Sequence, residues 1–305
     1  MIIASIDIGT NTIILLIAEV DVMNKKISPL YNEQRIPRIG KGLSTGKPIS
    51  NRKIEELLKI LEDYSVIIKE FSCEKTIITA TNALRIASNG KEIKKLIKDK
   101  TDIDINIISG EKEAELTFKG AVYQFHDNFN SIVIDIGGGS TEIIYGNRNK
   151  ILFKKSYQTG VVTAKEKFLT HSPPNDAELS DFQNELKQVF KDIYKKDFIF
   201  NRSIAIAGTP TTLAAIKLNL PEYDEDILEG HILKGNEIKD LISELKKLNN
   251  QEILKKFKSV VKGREDVILS GAIILLFIMK LLKIDNILVS TKGIRYGVIC
   301  KELFV

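Results

Sequence analysis

The chain has 305 residues, 43% hydrophobic and 28% charged, which is typical of soluble globular proteins and long enough for two domains. Its two cysteines, Cys73 and Cys300, match no disulfide framework or metal motif, so we expect a reducing, cytoplasmic location. The apolar run at 267–279 is shorter than the about 20 residues that span a bilayer, and no signal-peptide features open the chain, so we expect no membrane segment.

The first half alternates strands and helices. Residues 2–8 and 13–18 are apolar runs separated by a short polar turn, which predicts a β-hairpin. Apolar residues between 54 and 71 have the spacing of an amphipathic helix, and a further strand is predicted at 76–80. A helix is then expected to begin near Glu111, with carboxylates in its first turn.

The second half repeats this plan. A predicted strand at 131–136 ends in a glycine-rich turn and continues into a second strand at 142–145. Asp135 lies 128 positions after Asp7, and both are followed by Ile-Gly, which indicates a duplicated domain. Helices are predicted at 177–194 and 235–247, with a strand at 203–207 between them, a buried helix at 267–279 and a polar loop at 219–230; this alternation is typical of an α/β fold.

Three turns that follow predicted strands are candidate phosphate-binding tips. They comprise Gly9, Thr10, Asn11 and Thr12; then Gly137, Gly138, Gly139, Ser140 and Thr141; and finally Gly208 and Thr209. Glycine lets an anion approach the backbone N–H groups, and the third tip has the character of a helix N-terminus. A plain hairpin explains the first tip equally well, a flexible glycine turn is the alternative for the second, and an ordinary threonine cap is the alternative for the third.

Carboxylates beside these turns supply candidate metal ligands and a candidate general base. Asp135 and Glu142 flank the second tip and are suited to a divalent cation, directly or through water. Any of three neighbouring glutamates could activate water if it faced a phosphate, and their spacing does not choose among them; they are Glu111, Glu113 and Glu115. Stabilisation of the helix dipole is the simpler explanation of that cluster.

Several common chemistries are not indicated. The sequence has no G-x-x-x-x-G-K-[ST] loop and no G-x-S-x-G elbow. The three histidines lie in unrelated contexts without metal-ligand spacing. The formal charge of +5 comes largely from lysine pairs; a polyanionic ligand is compatible with it, although solvated helix faces are the simpler explanation.

With these motifs in place, the chain resembles the Ppx/GppA family of exopolyphosphatases and guanosine pentaphosphate phosphatases over nearly its whole length. The resemblance is carried by the three tips, by Arg38–Leu43, by Ala80–Arg85, and near the end by Arg264–Ile268 and Gly293–Gly297. It implies two ribonuclease H-like domains of the actin, sugar kinase and heat-shock chaperone ATPase superfamily, with an interdomain cleft. It places domain I at 1–119 plus about 293–305 and domain II at 120–292, in a short two-domain form.

The resemblance also implies roles for individual residues. The family's catalytic glutamate in its S-G-x-x-E-A block maps onto Glu113, and the arginine usual after that alanine is replaced by Glu115. Arg85 is a candidate to neutralise the transferred phosphoryl group. The resemblance implies Mg²⁺, with Asp135 and Glu142 as ligands and Asp7 as a third candidate.

The expected reaction is hydrolysis of the terminal phosphate of inorganic polyphosphate, guanosine pentaphosphate or both. One alternative is a regulatory protein that binds guanosine tetraphosphate or pentaphosphate with little turnover. The other is a phosphotransferase or ATPase of the same superfamily. We expect no nucleic-acid polymer or membrane as partner, and we allow for a homodimer.

Overall fold

The computed structural model describes residues 1–304 and is an α/β protein with two mixed sheets, so the fold class expected from the sequence is confirmed. The chain divides into two compact units. The first holds Met1–Tyr123 and the C-terminal segment that begins at Gly293, and the second holds Gln124–Lys292.

The sheet of the first unit has five strands in the order β3-β2-β1-β4-β5. These strands are β1 (Ile2–Ile8), β2 (Ile13–Asp21), β3 (Lys26–Arg35), β4 (Lys75–Ala80) and β5 (Ile105–Ile107). β1 and β2 form the expected hairpin, while β4 and β5 continue the sheet in parallel on the other side of β1. Ile3 and Ile6 belong to different hydrophobic clusters, so β1 is buried on both faces.

Four helices accompany these strands before the chain leaves the first unit. They are α1 (Asn51–Glu70), α2 (Asn82–Ile86), α3 (Gly90–Thr101) and α4 (Gly110–Val122). α1 is amphipathic as predicted and buries Leu57, Leu61 and Tyr64 on one face. α4 begins one residue before the expected Glu111, with Ser109 as its N-cap; the Ser109 hydroxyl accepts from the Lys112 N–H at 3.2 Å.

The second unit repeats the strand order of the first. Its strands are β6 (Ser131–Ile136), β7 (Thr141–Gly146), β8 (Ile151–Tyr157), β9 (Arg202–Ile206), β10 (Ile232–Lys234) and β11 (Asn286–Ser290). The order is β10-β11-β9-β6-β7-β8, in which β6 and β7 form a hairpin and β9 and β11 run parallel to β6. Apart from the added antiparallel β10, this is the topology of the first sheet and of ribonuclease H-like domains, so the structure supports the inferred duplication.

Helices pack on this second sheet. They are α5 (Val161–Phe168), α6 (Asp176–Val189), α7 (Gly208–Lys217), α8 (Glu225–Leu228), α9 (Gly235–Leu245), α10 (Asn250–Phe257) and α11 (Ile268–Leu281). α11 is the buried helix expected at 267–279, with Ile274 and Ile278 fully buried. The loop expected at 219–230 is interrupted by α8, because Asp224 caps the N–H groups of Asp226 and Ile227. No helix within residues 1–304 is long and apolar enough to cross a membrane.

The last helix, α12 (Ile294–Leu303), packs within the first unit. Tyr296 is fully buried and stacks on Tyr123 at a ring-centroid distance of 5.8 Å. Tyr296 also belongs to the hydrophobic cluster that covers the face of β1 containing Ile3. α12 therefore completes the core of the first unit on that side of the sheet.

Candidate active site

The first tip closes the β1–β2 hairpin. The Gly9 N–H donates to the carbonyl of Thr12 at 2.9 Å, and a Cβ on Gly9 would lie 3.1 Å from that oxygen. Thr10 and Asn11 are buried, and the Oδ1 atom of Asn11 has no hydrogen-bond partner among the described residues. Because an unsatisfied buried carbonyl costs about 1–3 kcal/mol, a hydrogen-bond donor such as water at this tip would stabilise it.

The second tip has the same closing bond. The Gly137 N–H donates to the carbonyl of Ser140 at 3.0 Å, as Gly9 does to Thr12. The carbonyls of Gly137 and Gly138 accept from the first N–H groups of α5, Val161 and Val162, at 3.0 and 2.8 Å. A Cβ on Gly137 would lie 3.2 Å from the carbonyl oxygen of Ser140, so the turn is tight at that position.

Asp135 and Glu142 are brought together by the strand register. They are directly opposite each other on the antiparallel strands β6 and β7, so their side chains share one face of the sheet with Cβ atoms about 5 Å apart. Glu142 is buried, and its Oε1 accepts from the Ser156 hydroxyl at 2.6 Å. At the equivalent place in the first unit, Asp7 faces the apolar Ile14, so only the second tip has two carboxylates.

This pair fits a magnesium ion that takes its other ligands from water and phosphate. Mg²⁺ prefers oxygen ligands and is usually held by one or two carboxylates plus substrate phosphates. Within residues 1–304, no group of three or more His, Cys, Asp or Glu side chains is close enough to form a complete protein site. Asp7 lies in the first unit, whereas Asp135 and Glu142 lie in the second.

Arg85 and Glu113 form an ion pair. Nη1 of Arg85 donates to Oε2 of Glu113 at 2.9 Å and to the carbonyl of Ile108 at 2.9 Å, while Nη2 donates to Asn82 Oδ1 at 3.2 Å. The two charged side chains are only 20% and 12% exposed. The guanidinium is thus fixed by three acceptors and holds the Glu113 carboxylate in one orientation.

The sheet explains why these residues meet. β4 and β5 are parallel neighbours, and each is followed by the helix that carries one partner, α2 with Arg85 and α4 with Glu113. β1 is parallel to β4 as well, and the Thr81 N–H donates to the carbonyl of Ile8 at 3.0 Å. The first tip, Arg85 and Glu113 therefore all follow the carboxyl ends of adjacent strands, where α/β sheets place their sites.

The three glutamates that the sequence left open have different surroundings. Glu113 is paired with Arg85, whereas Glu115 pairs with Lys112 at 2.7 Å and Glu111 is exposed. A positive charge, Lys112, thus stands beside the position where the family resemblance led us to expect arginine. Glu113 is the least exposed of the three, at 12% against 26% for Glu115, and it pairs with an arginine from another helix.

The third tip is the N-terminus of α7, as predicted, and it lies against Arg264. A Cβ on Gly208 would come within 1.0 Å of Nη1 of Arg264, so the guanidinium occupies the space that a side chain at position 208 would fill. Desolvation lowers the pKa of Arg264 to about 10. A cation at the positive end of a helix is unfavourable by itself, and an anion bound there would offset that cost.

The sequence did not place Arg264 in the site, although its motif was noted. The 56 positions between Gly208 and Arg264 give no local signal of their contact. The Thr209 hydroxyl faces α11, where a Cβ on Gly271 would lie 2.3 Å from it. Thr209 therefore packs its side chain, which leaves its backbone N–H as the group suited to an anion.

Known proteins resemble this chain along its whole length. The model of the Ppx/GppA phosphatase family matches residues 16–304. A Fusobacterium nucleatum protein named bifunctional 3-dehydroquinate synthase/phosphatase is 37% identical over 97% of this chain, which spans 46% of that relative. Exopolyphosphatase 2 of Mycobacterium tuberculosis is 27% identical over 97% of each chain.

A solved structure agrees with these sequence matches. The crystal structure of the Aquifex aeolicus member of the Ppx/GppA family superposes with a TM-score of 0.84 and 30% identity, over 99% of this chain and 97% of that one. The family match at residues 16–304 includes the second glycine tip, the Arg85–Glu113 pair and Arg264. The chain belongs to the Ppx/GppA phosphatase family.

Proposed function

We propose that the protein hydrolyses the terminal phosphoanhydride bond of a polyphosphate chain and releases inorganic phosphate. The observation that carries this proposal is the Arg85–Glu113 pair, at the same strand ends as the Gly9–Thr12 tip. An oriented carboxylate beside an anion-binding turn is the arrangement that a hydrolase of phosphoanhydrides needs.

The tips bind and position the phosphates. Backbone N–H groups at Gly9–Thr12, and separately those at Gly137–Thr141, are each suited to phosphate oxygens, because glycine permits close approach. The N-terminus of α7, at Gly208 and Thr209, together with Arg264, supplies further positive potential. Positioning and charge neutralisation account for most of the rate in phosphoryl transfer, so these groups are expected to matter as much as the base.

Glu113 acts as the general base. It accepts a proton from the attacking water, whose oxygen bonds to the terminal phosphorus while the bond to the bridging oxygen breaks. The products are inorganic phosphate and a chain one phosphate shorter. Arg85 orients the Glu113 carboxylate through a bond of 2.9 Å and adds positive charge near the transferred group.

Asp135 and Glu142, the carboxylate pair of the second unit, would hold Mg²⁺. When bound, the ion neutralises charge on the phosphate oxygens and helps to align the substrate. The chain's own contribution is the cross-strand carboxylate pair and the Ser156 hydroxyl, which fixes Glu142 from behind.

Inorganic polyphosphate is the substrate we propose first, and guanosine pentaphosphate is the second to be tested. A regulatory protein that only binds guanosine tetraphosphate or pentaphosphate would not need an oriented Glu113. A phosphotransferase would pass the phosphate to a second substrate rather than to water. Product analysis therefore distinguishes the three functions: a hydrolase releases inorganic phosphate, a phosphotransferase yields a phosphorylated second substrate, and a binding protein yields little product.

The test is phosphate release from medium-chain polyphosphate and from guanosine pentaphosphate with Mg²⁺, comparing the unmodified protein with Glu113→Gln. We expect the variant to lose about 10²-fold or more in kcat, the usual size of a general-base effect. Glu111→Gln, which removes an exposed carboxylate from the same helical turn, is the matched control and should retain activity. If the unmodified protein releases phosphate from neither substrate, the proposed reaction is wrong.

A further inference from the structure

One segment of the first unit concentrates positive charge. Between Glu33 and Glu55 the sequence contains no acidic residue and six cations, which are Arg35, Arg38, Lys41, Lys47, Arg52 and Lys53. Of these, Arg35, Lys41, Lys47 and Arg52 are exposed, and Arg35 is paired with Glu33. We call residues 35–53 the basic segment; it connects β3 to the first turn of α1.

The basic segment begins against the first tip. The Arg38 N–H donates to the carbonyl of Asn11 at 3.0 Å, and the Gly40 N–H donates to that of Thr10 at 2.9 Å. A Cβ on Gly40 would lie 2.3 Å from Cγ2 of Thr10 and 3.2 Å from its carbonyl oxygen, so Gly40 packs directly against Thr10. The cations of the basic segment therefore begin next to the first tip, where an anion would bind.

The segment is also fixed near the helix that carries Arg85. The Gly46 N–H donates to the carbonyl of Ile86, the last residue of α2, at 2.9 Å. The Ser88 N–H donates to the carbonyl of Lys47 at 3.1 Å. Lys47 is thus held beside α2, while Lys41 stands close to the first tip.

The end of the basic segment is a helix N-terminus of unusual charge. α1 has no acidic residue in its first turn and no side-chain cap from Ser50, but it has Arg52 and Lys53 there. The Lys53 ammonium donates to the carbonyls of Ile39 at 3.3 Å and of Lys41, which ties this turn to the start of the segment. Because the helix dipole disfavours cations at this end, a bound anion would stabilise the arrangement.

The nearest acidic groups do not cancel this charge. Glu33 is held by Arg35, and Glu55 and Glu56 follow in the next part of α1. The ligand is also constrained by what is missing: residues 32–63 contain no aromatic side chain and no histidine on which a base could stack. The basic segment therefore favours a polyanion of repeated phosphates that carries no nucleobases.

We propose that the basic segment binds the internal phosphates of long-chain inorganic polyphosphate whose terminal phosphate lies at the first tip. The inference rests on the proposed function and adds to it a preference for long chains over tripolyphosphate. Lys41, Lys47 and Arg52 supply the exposed charge, and Lys53 holds the segment in place.

The test is binding of long-chain polyphosphate and of tripolyphosphate to the full chain, with Glu113→Gln as background to prevent turnover. The probe variant replaces Lys41, Lys47 and Arg52 by glutamine. The control variant replaces three exposed lysines of the second unit, Lys239, Lys246 and Lys247, and so makes the same change in net charge.

For the probe variant we expect the Kd for long chains to rise at least about tenfold, and the salt dependence of log K to fall by about one per cation removed. The Kd for tripolyphosphate should change less, and the control variant should bind like the parent protein. Equal losses in probe and control variants, or no binding of long chains by the parent, would overturn the inference. If the Glu113→Gln parent binds long chains through the basic segment but the unmodified protein releases no phosphate, the proposed reaction is wrong and the proposed binding surface stands.

Discussion

Gly120 on α4 and Gly297 on α12 bring the backbones of the two helices into contact. A Cβ on Gly297 would lie 1.7 Å from the carbonyl oxygen of Leu116, and one on Gly120 would lie 2.0 Å from that of Gly293. Neither backbone oxygen can move away cheaply, because each belongs to a packed helix or its cap. α4 carries Glu113, so this contact helps to set the position of the proposed base.

Gly297→Ala should therefore reduce stability and activity together. The overpacked methyl group is expected to cost about 1–3 kcal/mol and to displace α4, which lowers kcat as well as the thermal midpoint. Thermal unfolding and phosphate release on the same preparation measure both effects.

Gly235→Ala is the matched control for that substitution. The nearest atom to a Cβ on Gly235, at the start of α9, is 3.6 Å away, which is ordinary packing distance. Its stability should stay within about 0.5 kcal/mol of the unmodified protein. Equal midpoints for the two variants would show that α4 and α12 separate more easily than their contact indicates.

Arg85→Lys should lower kcat while the protein remains folded. Lysine keeps the charge but cannot make the fixed contacts with Glu113, Ile108 and Asn82 at the same time. We expect a loss of about 10-fold to 100-fold in kcat with a smaller change in KM, because the main effect is on the orientation of the base.

Steady-state kinetics on medium-chain polyphosphate measure this effect, and Lys112→Gln is a suitable control because Lys112 pairs with Glu115 instead. If Arg85→Lys raised KM alone, Arg85 would be a substrate-binding residue and not a positioning residue for Glu113.

Glu142→Gln should raise the magnesium concentration needed for half-maximal activity by at least about tenfold. Glutamine preserves the acceptor for Ser156 but removes one of the two negative charges opposite each other on β6 and β7. Magnesium titrations of phosphate release measure the shift. Ser156→Ala, which removes the 2.6 Å bond and leaves both charges, should give a smaller one. An unchanged requirement in Glu142→Gln would place the metal elsewhere.

The glycine tips could be predicted because their signal is local. A run of apolar residues, an aspartate and then glycine define both β1 and β6 at their correct ends, 2–8 and 131–136. The same holds for α11, whose continuous apolar run leaves a buried helix as the only compact solution. Such features need no knowledge of which strands are neighbours.

The pairings within the site could not be predicted in this way. The contact of Arg85 with Glu113 depends on β5 lying beside β4, and the contact of Gly208 with Arg264 depends on how the segment before α11 returns to α7. α8 was missed although Asp224 offered a capping signal, because its single turn is too short for hydrophobic periodicity. The two pairings depend on contacts between segments distant in sequence, which local sequence patterns do not reveal.

Arg264→Gln should weaken the stabilisation of the protein by inorganic phosphate. Burial lowers the pKa of Arg264 to about 10, so folding disfavours its charged form, and an anion beside α7 would offset that cost. Phosphate should therefore raise the thermal midpoint of the unmodified protein by mass action, and raise that of the variant less.

The pH dependence of this effect follows from the direction of the shift. Below about pH 10 the guanidinium is charged in both folded and unfolded protein, so the anion contribution is fully present, and it is lost as pH rises through that value. Inorganic phosphate is mainly the dianion above about pH 8, so thermal midpoints with and without phosphate from about pH 8 to about pH 9 should show a constant difference between Arg264→Gln and the unmodified protein. The exposed Lys262→Gln, two residues away, should respond to phosphate like the unmodified protein. Equal responses from all three proteins would remove Arg264 from the anion site and leave the α7 N–H groups as the only candidates there.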